Sequence, residues 1–237
     1  MIQLERHGAS FGVVETTEYL NHFWRSIYPN WEEPTYTTII PHLRADKTFL
    51  DIGAWQGPIS LVAQKYSKQC ICFEPDPKAF TNLLKNVELN NFNNIIAVNK
   101  AVSLEQSLRL GHPYELGGGG SSYHIENNAL FAQLRTSEND LIVECDTISI
   151  TDILKDYKLS PEDLSLIKID IEGYECELLK DQTLKNLKDC GVPMHISMHP
   201  FMFSDRVDYF EKMVDFFGSR EFINYSTDTY DITVNIN

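Results

Sequence analysis

A chain of 237 residues suits one large α/β domain or one domain with extensions, because a single core still grows at this length. An apolar share of 43% and a charged share of 23% are those of a globular protein and exclude a disordered one. The formal charge of -14 and pI near 4.8 repel phosphate backbones, so no nucleic-acid partner is expected, and no apolar run of about 18 residues offers a membrane span.

Five cysteines, none in a CxxC pair, suggest neither a disulfide framework nor a zinc module, and no apolar leader precedes residue 48. A cytoplasmic protein with reduced thiols is the expectation.

Residues 1–48 are polar and aromatic, with a short helix predicted over Glu33–Leu43 behind Pro34, and read as a helical cap. From there to residue 237 short apolar runs alternate with helical stretches, the rhythm of crossover units on a parallel sheet. Strands are predicted at Thr48–Ile52, Gln69–Phe73, Ile95–Val98, Leu166–Ile171 and His195–Met198. Helices are predicted at Pro58–Lys65, Pro77–Asn90, Gly173–Leu187 and Asp205–Phe217. Strand-like pieces at Ser107–Leu110 and Leu141–Cys145, around the glycine run Gly117–Gly120, mark an insertion. Phe222–Tyr225 and Asp231–Asn235 form an antiparallel edge pair. The fold class is a Rossmann-like, doubly wound, mostly parallel α/β sheet.

Three motifs carry chemistry. In Phe49-Leu50-Asp51-Ile52-Gly53-Ala54-Trp55-Gln56-Gly57-Pro58 a strand runs into small residues that let backbone approach a ligand closely. The missing G-x-G-x-x-G turn argues against a pyrophosphate cradle. Asp51 would hold the ligand's amino group, directly or through water. Glu74, with Pro75, ends the next strand about 20 residues past the loop, where acidic residues hold ribose hydroxyls. In Lys168-Ile169-Asp170-Ile171-Glu172-Gly173 the strand alternation puts Lys168, Asp170 and Glu172 on one side, at the carboxyl end where open α/β sheets bind ligands.

These motifs, with Asn99-Lys100-Ala101-Val102-Ser103 and His199-Pro200, make the stretch from Phe49 to Pro200 resemble the FkbM-type methyltransferases. The sequence departs from the pattern at Trp55, where the family commonly has Asn, and at Ser197, where a carboxylate is frequent.

The resemblance implies S-adenosylmethionine (SAM) as donor and O-methylation of a hydroxyl, often on a sugar or secondary metabolite. The cofactor would rest on Asp51, Gly53, Ala54, Gly57, Glu74, Pro75, Asn99, Ala101 and Asp170. Tyr36 and Thr37, with Glu33, would close over its carboxylate. A hydroxyl needs a base within hydrogen-bond reach, and Asp170, Glu172 and His199 are the candidates. The same three suit a divalent ion, though none is required. Gly117–Gly120, flanked by Tyr114, Tyr123 and His124, is expected to contribute to a pocket for a small-molecule or carbohydrate acceptor. A hydroxyl on a non-sugar molecule, or a SAM-binding module without catalysis, would leave similar marks.

Overall fold

The computed structural model describes residues 1–112, 123–124, 141–197, 199, 206–218, 223–225 and 232–234. The chain opens with an antiparallel hairpin, β1 (Ile2–Arg6) and β2 (Ala9–Val13), that the sequence reading did not contain. Its two-residue turn, His7-Gly8, has positive φ at both positions, which matches the twist of the paired strands. A helical segment follows. It comprises α1 (Glu18–His22), capped by the Thr17 hydroxyl, a π turn (Phe23–Ile27), a 3-10 turn (Tyr28–Asn30), α2 (Glu33–Ile39) and a second 3-10 turn (Ile40–His42).

Next come β3 (Thr48–Ile52), α3 (Ser60–Ala63), β4 (Gln69–Phe73), α4 (Pro77–Leu89) and β5 (Ile95–Val98). Asp76 starts α4 by accepting the Lys78 and Ala79 amides, and Pro77 occupies a first-turn position that needs no N–H donor. The insertion holds β6 (Ala101–Val102), β7 (Ser107–His112), β8 (Tyr123–His124) and β9 (Leu141–Ile148), in the order β6-β9-β7-β8. Gly117–Gly120 and Tyr114 lie outside the described residues, as do the side chains of Tyr123 and His124.

The chain returns through α5 (Ile150–Asp156), β10 (Leu164–Ile169), α6 (Glu175–Leu178), α7 (Gln182–Asp189), β11 (Met194–Ile196), α8 (Arg206–Phe217), β12 (Ile223–Tyr225) and β13 (Ile232–Val234). The single helix expected over Gly173–Leu187 is two, because Asp181 turns out of α6 and caps α7 through the Leu184 amide.

Five parallel strands form the main sheet in the order β11-β10-β3-β4-β5. After β5 the chain crosses back to β10 on the far side of β3, so the connections diverge between β3 and β10 and leave a crevice at their carboxyl ends. The antiparallel pair β12–β13 has β13 close to the β11 edge.

Alternation sorts the strand residues into two cores. Leu50, Ile52, Ile71, Phe73, Ile167 and Ile169 pack with α5, α6, α7 and the insertion. Phe49, Cys70, Cys72, Ile95 and Leu166 pack with Phe11, Trp24, Tyr28 and Tyr36 of the N-terminal layer. Each large apolar side chain fully buried here contributes about 1.5–3 kcal/mol. On the second face the pattern breaks near the carboxyl ends. Asp51, Lys168 and His195 stand in register on β3, β10 and β11, all 2% exposed or less.

Candidate active site

The crevice is lined by the loop after β3, the ends of β4 and β10, the start of the insertion and two residues of the N-terminal layer. Gly53 and Ala54 both donate their amides to the Phe73 carbonyl, folding the loop back onto β4. Gly53 has φ +82, and a Cβ there would lie 1.7 Å from the Asp170 carbonyl oxygen, so the loop can sit against β10 only if this residue is glycine.

Glu74 closes one end of the pocket. Its carboxylate accepts the Trp55 amide at 2.8 Å and the Asp76 amide at 2.8 Å. Burial outweighs those donors and raises its pKa to about 8. The Asn99 side-chain amide braces the turn beneath by donating to the Glu74 and Pro75 carbonyls.

The other end is a charged cluster. Lys168 places Nζ 3.3 Å from Asp51 Oδ1, 3.3 Å from Asp170 Oδ2 and 3.3 Å from the Gly53 carbonyl. Burial alone would lower the lysine's pKa, but Asp51 and Asp170 together hold it above the usual range. Burial likewise works against ionisation of Asp170, and Lys168 and His199 overcome it, keeping its pKa below the ordinary value. His199 Nε2 lies 3.5 Å from Asp170 Oδ1 and 3.8 Å from Glu172 Oε2, while Nδ1 meets Glu175 Oε1 at 2.8 Å. Against the burial that disfavours its charge, these carboxylates raise the imidazole's pKa well above its ordinary value. Glu175 is itself tied to the Ile171 and Gly173 amides.

The structure therefore brings together Gly53, Ala54, Glu74, Pro75, Ala101, Asp170, Glu172 and His199 around one pocket. It places others elsewhere. Asp51 is fully buried behind the pocket, paired with Lys168 and accepting the Ser60 hydroxyl, and so does not present itself to a ligand's amino group. Gly57 packs on Leu83 and Leu61, and Asn99 supports the Glu74 turn from outside.

Tyr36 is buried in the N-terminal layer, where its hydroxyl donates to the Pro58 carbonyl, and Thr37 is exposed with its hydroxyl on the Glu33 and Pro34 carbonyls. Glu33 pairs with Arg6. The cap instead sends Trp31 and Glu32 to the pocket, beside Trp55.

The sequence reading gave no role to Lys168, Glu175, Trp31 or Glu32. Only Lys168 left a signal, a lysine alternating into a buried strand. Among the described residues, one set converges closely enough to hold a metal ion: Asp170, Glu175 and His199, with ligand atoms within 4.8 Å of one another. Glu175 thus stands where Glu172 was expected.

Three non-glycine residues of the lining, Glu32, Trp55 and Glu172, adopt left-handed φ of 47°, 48° and 52°. Such strain persists where the surroundings hold it in place, and it gathers at functional sites.

Residues 45–224 match the model of the methyltransferase FkbM domain. Among solved structures, the chain is similar to a methyltransferase FkbM from Methylobacillus flagellatus KT, with 17% identity, TM-score 0.49 and coverage of 82% of this chain and 44% of that one. It is also similar to a precorrin-6y C5,15-methyltransferase from Geobacter metallireducens GS-15, with 11% identity, TM-score 0.45 and coverage of 86% and 87%. An rRNA methylase from Streptococcus thermophilus gives 8% identity, TM-score 0.45 and coverage of 86% and 95%. The chain thus spans less than half the length of the FkbM structure. No curated protein matches significantly.

Proposed function

This chain belongs to the FkbM methyltransferase family, and from that premise we propose that its pocket binds SAM and transfers the methyl group to a hydroxyl of a sugar, as a glycan or nucleotide-sugar. The observation that carries the reading is the pairing of two chemistries across β3, with the Glu74 carboxylate at one end of the pocket and the Asp170 cluster at the other.

The pocket fits such a cofactor. Glu74 has used only part of its acceptor capacity on two amides, which leaves lone pairs for ribose hydroxyls. Gly53 lets the loop after β3 sit against β10, which places its backbone along the pocket. Pro75, Ala101 and Val102 offer apolar surface beside Glu74 for a base, and Asp170 and Glu172 offer negative charge to a cationic end. When bound, SAM supplies an electrophilic methyl group on a positively charged sulfur.

The protein's own residues then have separable tasks. Glu172 accepts a proton from the acceptor hydroxyl, a contribution of about 10²- to 10⁴-fold, while Asp170 beside it, paired with Lys168, faces the cationic end of the cofactor. The carboxylates around His199 raise its pKa and so favour its cationic form, which would orient them. Trp31 and Trp55, ring centroids 6.5 Å apart, line the pocket on the cap side with Glu32. Flat aromatic faces with a nearby carboxylate suit the CH faces and hydroxyls of a sugar ring.

The test is calorimetric titration with SAM and with NAD, followed by transfer of labelled methyl from SAM across monosaccharides, oligosaccharides, nucleotide-sugars, phenolic small molecules and tRNA, with and without EDTA. SAM binding with turnover on a sugar is the expected result, and E74A should abolish binding. Turnover only on a phenol or on RNA would move the acceptor. Binding without turnover would leave a non-catalytic module, and absence of SAM binding would overturn the reading.

A further inference from the structure

Lys168 is only 2% exposed, and it contacts three separate parts of the structure around the crevice. Its Nζ lies 3.3 Å from Asp51 on β3, 3.3 Å from the carbonyl of Gly53 in the following loop, and 3.3 Å from Asp170 at the end of β10. Asp51 is held in turn by the Ser60 hydroxyl on α3. On the far side, Asp170 Oδ1 faces His199 Nε2 at 3.5 Å, and His199 Nδ1 rests on Glu175 at 2.8 Å.

The groups alternate in sign across the sheet, in the order Asp51, Lys168, Asp170, His199, Glu175. Both terminal carboxylates are fully buried, whereas Asp170 is 17% exposed and lines the pocket. A carboxylate gripped at its two oxygens by cations from β10 and from the segment after β11 has its plane and direction set before any ligand arrives.

We propose that Lys168 is a positioning residue that acts through Asp170, aiming that carboxylate at the amino-acid end of the cofactor. This rests on the reading that the pocket holds SAM, with its nucleoside at Glu74 and its cationic end at Asp170. It also assigns Asp51 a part different from ligand contact: Asp51 is the buried counter-charge that keeps Lys168 in place.

The test uses the K168M/D51N double variant. It removes one cation and one anion, so the pocket's net charge is kept and no buried charge is left alone. Wild type and variant are titrated with SAM and with 5′-methylthioadenosine, which has the nucleoside but lacks the amino-acid end. SAM should weaken on the order of 10- to 100-fold, the size seen when a partner that orients a metal ligand is lost, while methylthioadenosine should hold within about twofold.

A D170N background should absorb the effect, with K168M/D51N adding little to D170N. Equal weakening of both ligands, an unchanged SAM affinity, or losses that add in full to D170N would each overturn the proposal. The same comparison in K168Q/D51N, whose amide keeps a donor for the Gly53 carbonyl, serves if the methionine variant does not fold. Wild-type protein that fails to bind SAM would sink the underlying reading instead, so the two failures are separable.

Discussion

Glu74 carries a conflict that a ligand can resolve. Burial favours its neutral form and lifts its pKa from 4.5 to about 8, whereas ribose hydroxyls donate best to the carboxylate. The sign for the unliganded fold follows: a raised carboxyl pKa contributes stability below pH 4.5 that is lost as pH rises through about 8. For binding the sign is opposite. SAM affinity should climb between pH 6 and 8, by at most about tenfold per pH unit, and level off above that range. Calorimetry in buffers of different ionisation heat should count a proton released on binding at pH 7, and E74Q should show weak, pH-independent binding. Lys168 gives a second prediction. K168M alone leaves Asp51 at 0% exposure without its counter-charge and should cost about 3–5 kcal/mol in urea unfolding, most of it recovered in K168M/D51N.

At the scale of elements, the loop after β3 is held by geometry that tolerates one residue type. Alanine at Gly53 would need its Cβ 1.7 Å from a backbone oxygen of β10, whereas Gly191, with nearly the same φ of +81, has nothing within 4 Å of the added carbon. G191A should therefore cost only the left-handed strain, about 1–2 kcal/mol. G53A should exceed it by at least about 2 kcal/mol and abolish SAM binding, because β3 and β10 must part. Thermal melts and calorimetry on the two variants separate strain from collision.

The strands that build this crevice were legible because they are buried on both faces. β3, β4 and β5 fall at the residues their apolar runs predict, and β10 lies two residues earlier, since Ile171 has already turned into the loop. β1 was not legible. Its third inward position is Arg6, whose guanidinium donates to the Tyr28 and Trp31 carbonyls and Glu33 and lies over the Tyr36 ring, so the apolar alternation stops after Ile2 and Leu4. Asp51, Tyr36 and Thr37 were placed by motif and segment. Which way a side chain of β3 or α2 points depends on the layer packed against it, and that is a property of the assembled fold.

For the whole molecule, the N-terminal layer is part of the core that supports the site. Ile2, Phe11, Val13, Trp24, Tyr28 and Tyr36 cover the sheet face formed by Phe49, Cys70, Cys72 and Leu166. The amides of Gly12 and Val14 donate to Asn90, just past the end of α4, and to Asn86 within it. The layer also reaches the pocket, because the Tyr28 and Tyr36 hydroxyls both donate to the carbonyl of Pro58, a lining residue, at 3.0 and 2.8 Å. A fragment of residues 48–237 should accordingly expose that face, bind 8-anilinonaphthalene-1-sulfonate and lose a cooperative melt. Y36F removes one of the two hydroxyls and should cost about 1 kcal/mol while leaving the fold cooperative. Its SAM affinity then reads the coupling between layer and pocket. A loss of several-fold would show that the layer sets the position of the Pro58 loop, and an unchanged affinity would show that Tyr28 holds it alone.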